Sequence, residues 1–168
     1  EVIVPGYTCT HVPLAVFLSG LIPRFADISL DDYSIFPESV ESLINDKTVA
    51  VVPVHAFGHT YDVEKISSIS KKNKLIHIED FAQSFGGTYK DKMHGTFGDI
   101  SITSFGRGKI IEEEGGAIFT NDKNIEQKLR ELMNFWSGQE SIVDNELLRS
   151  YLEDNYLVLA SRKTGFNF

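Results

Sequence analysis

An α/β domain built around a mostly parallel sheet is the fold this sequence predicts, on three observations. Short β-rich runs alternate with longer stretches of helical spacing along the chain, the order that βα units produce. The run Val49-Ala50-Val51-Val52 is apolar at successive positions, as a strand covered by helices on both faces should be. The length, 168 residues, suits one domain and is enough to bury a core without disulfide staples.

Strands are expected over residues 2–5, 23–27, 48–54, 75–79, 99–104 and 117–120. Helices are expected between them, over residues 12–19, 38–44, 63–72 and 124–134. The first helix lies in the most apolar region, residues 12–23, which Ser19 and Gly20 interrupt; it falls short of the roughly 20 residues a membrane span needs. Pro37 before Glu38 suits a first helical turn, and Asp122 suits an N-cap. A later helix is expected over part of residues 145–160, where Leu147, Leu148, Tyr151 and Leu152 have i, i+3, i+4 spacing. Residues 137–146 read as a polar loop, and no repeat or low-complexity tract is present.

Composition narrows the function. Hydrophobic residues make up 42% and charged residues 24%, the balance of a globular protein rather than a disordered one. Sixteen Lys and Arg against 24 Asp and Glu leave a net charge of −8, which disfavours general nucleic-acid binding because that affinity needs a basic footprint. A local basic site for a small phosphorylated ligand remains compatible. The single cysteine, Cys9, cannot form an internal disulfide, so a cytoplasmic setting is expected. No membrane segment or signal peptide is readable. The chain opens in a strand-like run without Met and stops at Gly165-Phe166-Asn167-Phe168, so a fragment of a longer protein is expected.

Ligands of such sheets bind beyond the carboxyl ends of the strands. There the sequence places His55-Ala56-Phe57-Gly58-His59, then Glu79-Asp80-Phe81-Ala82-Gln83-Ser84, then Ser104-Phe105-Gly106-Arg107-Gly108-Lys109. The last is not a nucleotide-triphosphate loop, G-x-x-x-x-G-K-S/T, because Thr103 holds the first glycine position and Ile110 follows the lysine. No G-x-G-x-x-G dinucleotide fingerprint follows the first strand either. His55 and His59 are four apart, but Gly58 lies between them with no third ligand, so a turn rather than a zinc-binding helix is expected. His55, at a strand end, is a candidate for contact with substrate. Three adjacent carboxylates, Glu112 to Glu114, cannot all face one ion and read as solvated surface.

Asp80 and Lys109 are the most informative pair. A lysine amine forms Schiff bases with carbonyl compounds. Pyridoxal phosphate uses a lysine for its aldehyde and a carboxylate for its pyridinium nitrogen, and Ser104 with nearby glycine amides could serve its phosphate. On residue types alone an ordinary salt bridge, or two surface charges, is the simpler account.

Several motifs, in order, resemble the DegT/DnrJ/EryC1/StrS sugar aminotransferase family. Val2-Ile3-Val4-Pro5-Gly6-Tyr7-Thr8-Cys9 is similar to its early strand and ring-stacking turn, and Pro23 to Asp27 followed by Tyr33 to its P-x-F-x-D segment. Pro53-Val54-His55-Ala56-Phe57-Gly58 matches P-V-H-x-F/Y-G, and Ile78-Glu79-Asp80-Phe81-Ala82-Gln83-Ser84-Phe85-Gly86 matches I-E-D-x-A-Q-A/S-x-G. Ser104-Phe105 followed by Lys109 matches S-F-x-x-x-K. Gly115-Gly116-Ala117 with Thr120-Asn121-Asp122 matches G-G-A-x-x-T-N/D-D, and the closing Gly165-Phe166-Asn167-Phe168 resembles G-F/Y-N-F/Y.

The resemblance implies a three-layer α/β/α, type I pyridoxal-phosphate transferase fold, of which residues 1–168 would be part of the large, cofactor-binding domain. An upstream segment and a C-terminal small domain would be absent, and the fragment alone inactive. Lys109 would hold the cofactor and shuttle a proton, Asp80 would pair with the pyridine nitrogen, Gln83 would bond the ring hydroxyl, and Ser104 the phosphate. Cys9 stands where many relatives stack an aromatic ring on the cofactor, and Asn167 would reach the cofactor of a neighbouring subunit in a homodimer.

The implied reaction moves an amino group from glutamate to a keto group on a nucleotide-linked sugar, for surface polysaccharide or a secondary metabolite. A dehydrating sister branch has His in place of the lysine, and Lys109 argues against it. The loop from Lys109 to Gly115 is one residue shorter than is usual in the family and carries acids. That leaves open a non-catalytic or regulatory relative that keeps the fold, or an inactive truncated product.

Overall fold

The computed structural model describes residues 1–112, 115–137 and 157–161. In chain order it forms β1 (Val2–Pro5), α1 (His11–Leu18), β2 (Pro23–Ala26), α2 (Pro37–Leu43), β3 (Ala50–Val51), α3 (Val63–Asn73) and β4 (Ile76–Asp80). There follow β5 (Thr88–Tyr89), β6 (Lys92–Met93), β7 (Ile100–Phe105), β8 (Gly115–Thr120), α4 (Lys123–Ser137) and β9 (Leu157–Ser161). Seven strands make one sheet in the order β2-β1-β3-β4-β7-β8-β9. The first five are parallel, while β8 runs antiparallel to both β7 and β9. The expected mostly parallel α/β architecture is what forms.

Strand order decides which face each helix covers. The step from β1 to β2 runs one way across the sheet, and the steps from β2 to β3 and β3 to β4 run the other way. Because crossovers between parallel strands are right-handed, that reversal sends α1 to one face and α2 and α3 to the other. Alternation along β1 then feeds both layers. Val2 and Val4 pack with Val16 of α1, Ala50 and Val52. Ile3 and Val51 point the other way, onto Val40 of α2 and Ile66 and Ile69 of α3. Each such side chain, fully buried, contributes about 1.5–3 kcal/mol. A third cluster, with Phe81, Phe85, Phe105 and Phe119, closes the β7–β8 end.

Local chemistry explains the boundaries. Pro37 opens α2, where its missing N–H is no loss. Asp62 caps α3 by accepting from the Lys65 N–H at 3.0 Å. Asp122 accepts from the N–H groups of Asn124 and Ile125 at the start of α4, the role expected for it.

One expectation needs correction, and two elements were not expected. The strand expected over 48–54 is regular only at Ala50–Val51. Pro53 has no N–H to continue a ladder, although its carbonyl accepts from Asp80 at 3.0 Å and Val54 bridges Asp80 beyond it. The β5–β6 hairpin was not expected; Lys90 and Asp91 turn it with φ of 48° and 64°, a left-handed pair usually signalled by Asn-Gly or Asp-Gly. The strand at Leu157–Ser161, paired with β8, was not expected either; a short apolar run fits helix or strand and pairing decided it, so a helix over part of 145–160 does not include residues 157–160. Residues 147–152 of that expected helix, and residues 138–146 of the expected loop, lie outside the described residues. Among the described residues, no helix is long and apolar enough to cross a membrane.

Gly95 is held in a left-handed conformation, φ 95°, and a Cβ there would lie 2.7 Å from Cζ of the fully buried Phe81. Gly95→Ala is therefore expected to destabilise the full-length protein by about 2–4 kcal/mol, combining overpacking with backbone strain. Urea unfolding measures this, and an unchanged midpoint would show that the loop yields freely.

Candidate active site

A crevice of about 800 Å³ runs between α1 and the carboxyl ends of β3, β4 and β7. Its floor is apolar, with Val52, Ile78 and Ile102 from the sheet and Val12 and Val16 from α1. Around this floor come together Cys9, Asp80, Gln83, Ser104 and Lys109, five of the residues singled out from the sequence. Three parallel strands end at one edge beneath α1, and the space between them is the crevice.

Asp80 ends β4 and is 7% exposed. Among the described residues its carboxylate accepts one hydrogen bond, from the Ala82 N–H at 3.0 Å. Burial raises its pKa above the ordinary carboxylate value, against the pull of the Ala82 N–H and of the positive charge on Lys109. A buried acid satisfied this sparingly favours a cationic or hydrogen-donating ligand opposite it.

Gln83 is oriented from outside the crevice. Its Oε1 accepts from the Phe57 N–H at 2.7 Å, which commits the oxygen and leaves the amide N–H groups to donate. Phe57 presents that N–H from a left-handed conformation, φ 53°, unusual for a bulky residue. Lys109 lies on the loop joining antiparallel β7 and β8. The Gly106 N–H donates to the Ile111 carbonyl and the Lys109 N–H to the Gly106 carbonyl, each at 3.0 Å. Gly106 and Gly108 supply the positive φ, 141° and 75°, that this turn requires. Ser104 is exposed at the end of β7. Cys9 is exposed, with Sγ 3.2 Å from Nδ1 of His11. Glu112 is exposed, whereas Glu113, Glu114 and Asn167 lie outside the described residues.

His55, expected beside the substrate, is placed elsewhere. It does not line the crevice and is wholly buried. Its Nε2 lies 3.0 Å from Oε1 of Glu79, and its ring stacks on His94 at 3.9 Å and 8°. The physical reason is strand alternation: adjacent residues of β4 point to opposite faces, so Asp80 faces the crevice and Glu79 faces away, where His55 meets it. Glu79 also accepts from the N–H groups of Gly95 (2.6 Å), Phe97 (2.7 Å) and Gly98 (3.1 Å) and from Ser101 Oγ (3.0 Å). Burial alone would raise the Glu79 pKa, but the His55, Gly95 and Phe97 bonds outweigh it and hold the carboxyl below its usual range. Donation to this carboxylate puts the His55 proton on Nε2, and Nδ1 is buried without a partner among the described residues. Burial, reinforced by neighbouring His55, lowers the His94 pKa to about 4.

Glu79, Phe57 and Thr8 were not singled out from the sequence. For Glu79 a signal was there: an acid beside Asp80 in a strand covered on both faces must find buried donors. The Phe57 contact depends on a left-handed turn that no residue type announces.

The model of the DegT/DnrJ/EryC1/StrS aminotransferase family matches residues 1–154. The chain is 41% identical over 126 residues to the GDP-perosamine synthase of Escherichia coli O157:H7, covering 74% of this chain and 35% of that protein. It is 37% identical over 134 residues to the UDP-2-acetamido-2-deoxy-3-oxo-D-glucuronate aminotransferase of Pseudomonas aeruginosa, covering 79% and 37%. Among solved structures, Helicobacter pylori PseC, an aminotransferase involved in the biosynthesis of pseudoaminic acid, superposes with a TM-score of 0.76 at 31% identity, over 87% of this chain and 38% of that one. The chain thus spans about a third of the length of the curated relatives it matches.

The buried histidine predicts an acid-sensitive fold. Below pH 6.5 the unfolded chain takes up a proton on His94 that the folded protein refuses until about pH 4. Stability attributable to this group is therefore complete above pH 6.5 and falls between pH 6.5 and 4, by roughly 3 kcal/mol in all. Glu79, with its folded pKa lowered, adds a loss in the same direction below its ordinary value of 4.5. Urea unfolding across pH 4–8 should show the His94→Gln variant with a shallower slope between pH 6.5 and 4.5. Parallel slopes would contradict this assignment.

Proposed function

The chain belongs to the DegT/DnrJ/EryC1/StrS aminotransferase family, and from that premise we propose that the protein is a pyridoxal-phosphate-dependent aminotransferase acting on a nucleotide-linked keto-sugar, with glutamate as amino donor. The observation that carries this reading is the convergence of a buried carboxylate, Asp80, and a lysine, Lys109, on one crevice at the carboxyl ends of neighbouring strands. The reading includes a cytoplasmic homodimer. In it, residues 1–168 are part of the cofactor-binding domain, and transfer requires the longer protein. Asn167 is proposed to reach the neighbouring subunit's cofactor.

The donor set suits pyridoxal phosphate. Asp80 is a buried acid in want of a cationic partner, the Gln83 amide has N–H groups to donate, and Ser104 adds a hydroxyl at the rim. Thr8, which lines the same crevice, has a buried Oγ1 with no partner among the described residues. When bound, the cofactor supplies an aldehyde for a lysine amine and an electron-withdrawing ring that acidifies the substrate carbon. Asp80 would keep the ring nitrogen protonated, because separating that pair would return the acid to its costly unpaired burial. Gln83 would donate to the ring hydroxyl, and Ser104 to the phosphate. Cys9 would face the ring with a thiol where an aromatic side chain would give more stacking. The apolar floor would exclude water, and Lys109 Nζ would take a proton and return it. Glu112, the described member of the acid run, is exposed.

The test uses the full-length protein, incubated with pyridoxal phosphate, reduced with borohydride and mapped by peptide mass. Cofactor mass confined to the peptide containing Lys109, and lost in Lys109→Ala, is the expected result; label scattered over surface lysines would overturn the proposal. Lys109→Ala should also lower amino transfer from glutamate by at least about 10²–10⁴-fold, the worth of a positioned acid–base group.

A further inference from the structure

We infer that His55 is a positioning residue, which carries the fixed geometry of Glu79 to the ligand-facing groups of Gln83 and Asp80. His55 never reaches the crevice, yet it is tied to both acids of β4. Its side chain is bonded to Glu79 at 3.0 Å, and its backbone N–H donates to the Asp80 carbonyl at 3.0 Å. From His55 the chain enters a tight turn. The Gly58 N–H donates back to the His55 carbonyl, and Phe57 between them takes the left-handed conformation that aims its N–H at Gln83 Oε1. Four residues, Glu79, His55, Phe57 and Gln83, therefore form a path from a carboxylate on one side of the sheet to an amide on the other.

The two ends of the relay differ in rigidity. Glu79 is wholly buried and accepts five hydrogen bonds, so it has no freedom to shift. Gln83 is partly exposed at a crevice wall, and without the Phe57 N–H its amide could rotate. The turn itself is pressed from outside by two rings, Tyr7 at 5.9 Å and Tyr33 at 5.8 Å from Phe57. Those rings and Phe57 are all about half exposed, so they steady the turn less firmly than the buried His55–Glu79 bond does. A left-handed bulky residue persists only where its surroundings enforce it, and that bond is a wholly buried one, two residues from Phe57.

The consequence for binding rests on the pyridoxal phosphate reading, whereas the relay itself does not. Two substitutions separate hydrogen bonding from packing. His55→Phe keeps a ring stacked on His94 but removes the donor to Glu79. His55→Gln removes the ring but can place an amide N–H where Nε2 was. Hydrogen-exchange mass spectrometry on the cofactor-free, full-length protein reads the relay in the peptide covering residues 56–59, with residues 94–98 as the internal control. Fluorescence titration with pyridoxal phosphate reads its effect on the site.

His55→Phe should speed exchange in residues 56–59 at least about tenfold, leave residues 94–98 protected, and weaken the Kd for pyridoxal phosphate by about tenfold, or 1.4 kcal/mol. His55→Gln should stay within about twofold of the parent protein in both. The reverse pattern, with Phe tolerated and Gln disruptive, would show that His55 acts through packing alone and would overturn the relay. Should His55→Phe fail to fold, rapid exchange at residues 56–59 in His55→Gln overturns it equally, and parent-like exchange there supports it. If the parent protein does not bind pyridoxal phosphate, the cofactor reading falls, and the exchange result alone decides the relay.

Discussion

A carboxylate with no access to water must be met by donors from the protein, and Glu79 sets that demand at the centre of this fold. Burying an ionised acid without partners costs far more than the few kcal/mol by which domains are stable. Glu79 is met by three backbone N–H groups, one hydroxyl and one imidazole. These donors come from three separate stretches: the turn after β3, the loop after β6, and β7. Satisfying one acid therefore fixes three segments relative to β4. The loop after β6 follows the protein in closely, to the point that Gly95 has no space for a side chain beside Phe81.

The neighbouring residue is the counterpart. Asp80 is one step along the same strand and faces the opposite way, into the crevice, where among the described residues it accepts only from the Ala82 N–H. The dipeptide thus holds two buried acids in contrasting states. The protein's own donors outweigh burial at Glu79 and lower its pKa, whereas burial wins at Asp80 and raises it. The first state is what a structural anchor needs, and the second is what a ligand-binding acid needs. Topology puts the difference to use. Because the step to β2 runs opposite to the later steps, α1 lies on the Asp80 face while α2 and α3 lie on the other, and the crevice opens beside α1.

Much of this was legible in the sequence, and the reasons are specific. The apolar run through Val51 and the alternation of β and helical patterns disclosed a covered parallel sheet. The strand-end rule then brought Asp80, Gln83, Ser104 and Lys109 into one search, and the crevice holds all four. His55 shows where that rule stops: proximity to a strand end does not say which face a side chain takes after a proline has interrupted the ladder. Reading β4 residue by residue would have set Glu79 opposite Asp80 and shown that it needs a buried partner, for which His55 was available. The hairpin at Lys90-Asp91 and the turn at Phe57 were illegible for a different reason. Each places ordinary side chains in left-handed backbone, and surrounding contacts impose that conformation against local preference.

The site is organised in advance to different degrees at different points, and the differences follow the work each residue would do. Asp80 is buried and bonded to Ala82, and the Gln83 oxygen is already committed to Phe57, so neither would lose much freedom when a ligand arrives. Lys109 is constrained differently. Its backbone is set by a glycine turn, but among the described residues its side chain has no hydrogen bond or ion pair that would hold the amine in one place. A group that must first bind and then move a proton between positions needs that freedom, whereas a group that holds a ring in one orientation is hindered by it. The buried anchor at Glu79 and the amine at Lys109 are contrasting cases: the dense hydrogen bonding lies behind the sheet, on the side away from the crevice, and the proposed role of Lys109 is the one that needs its side chain free of such bonds.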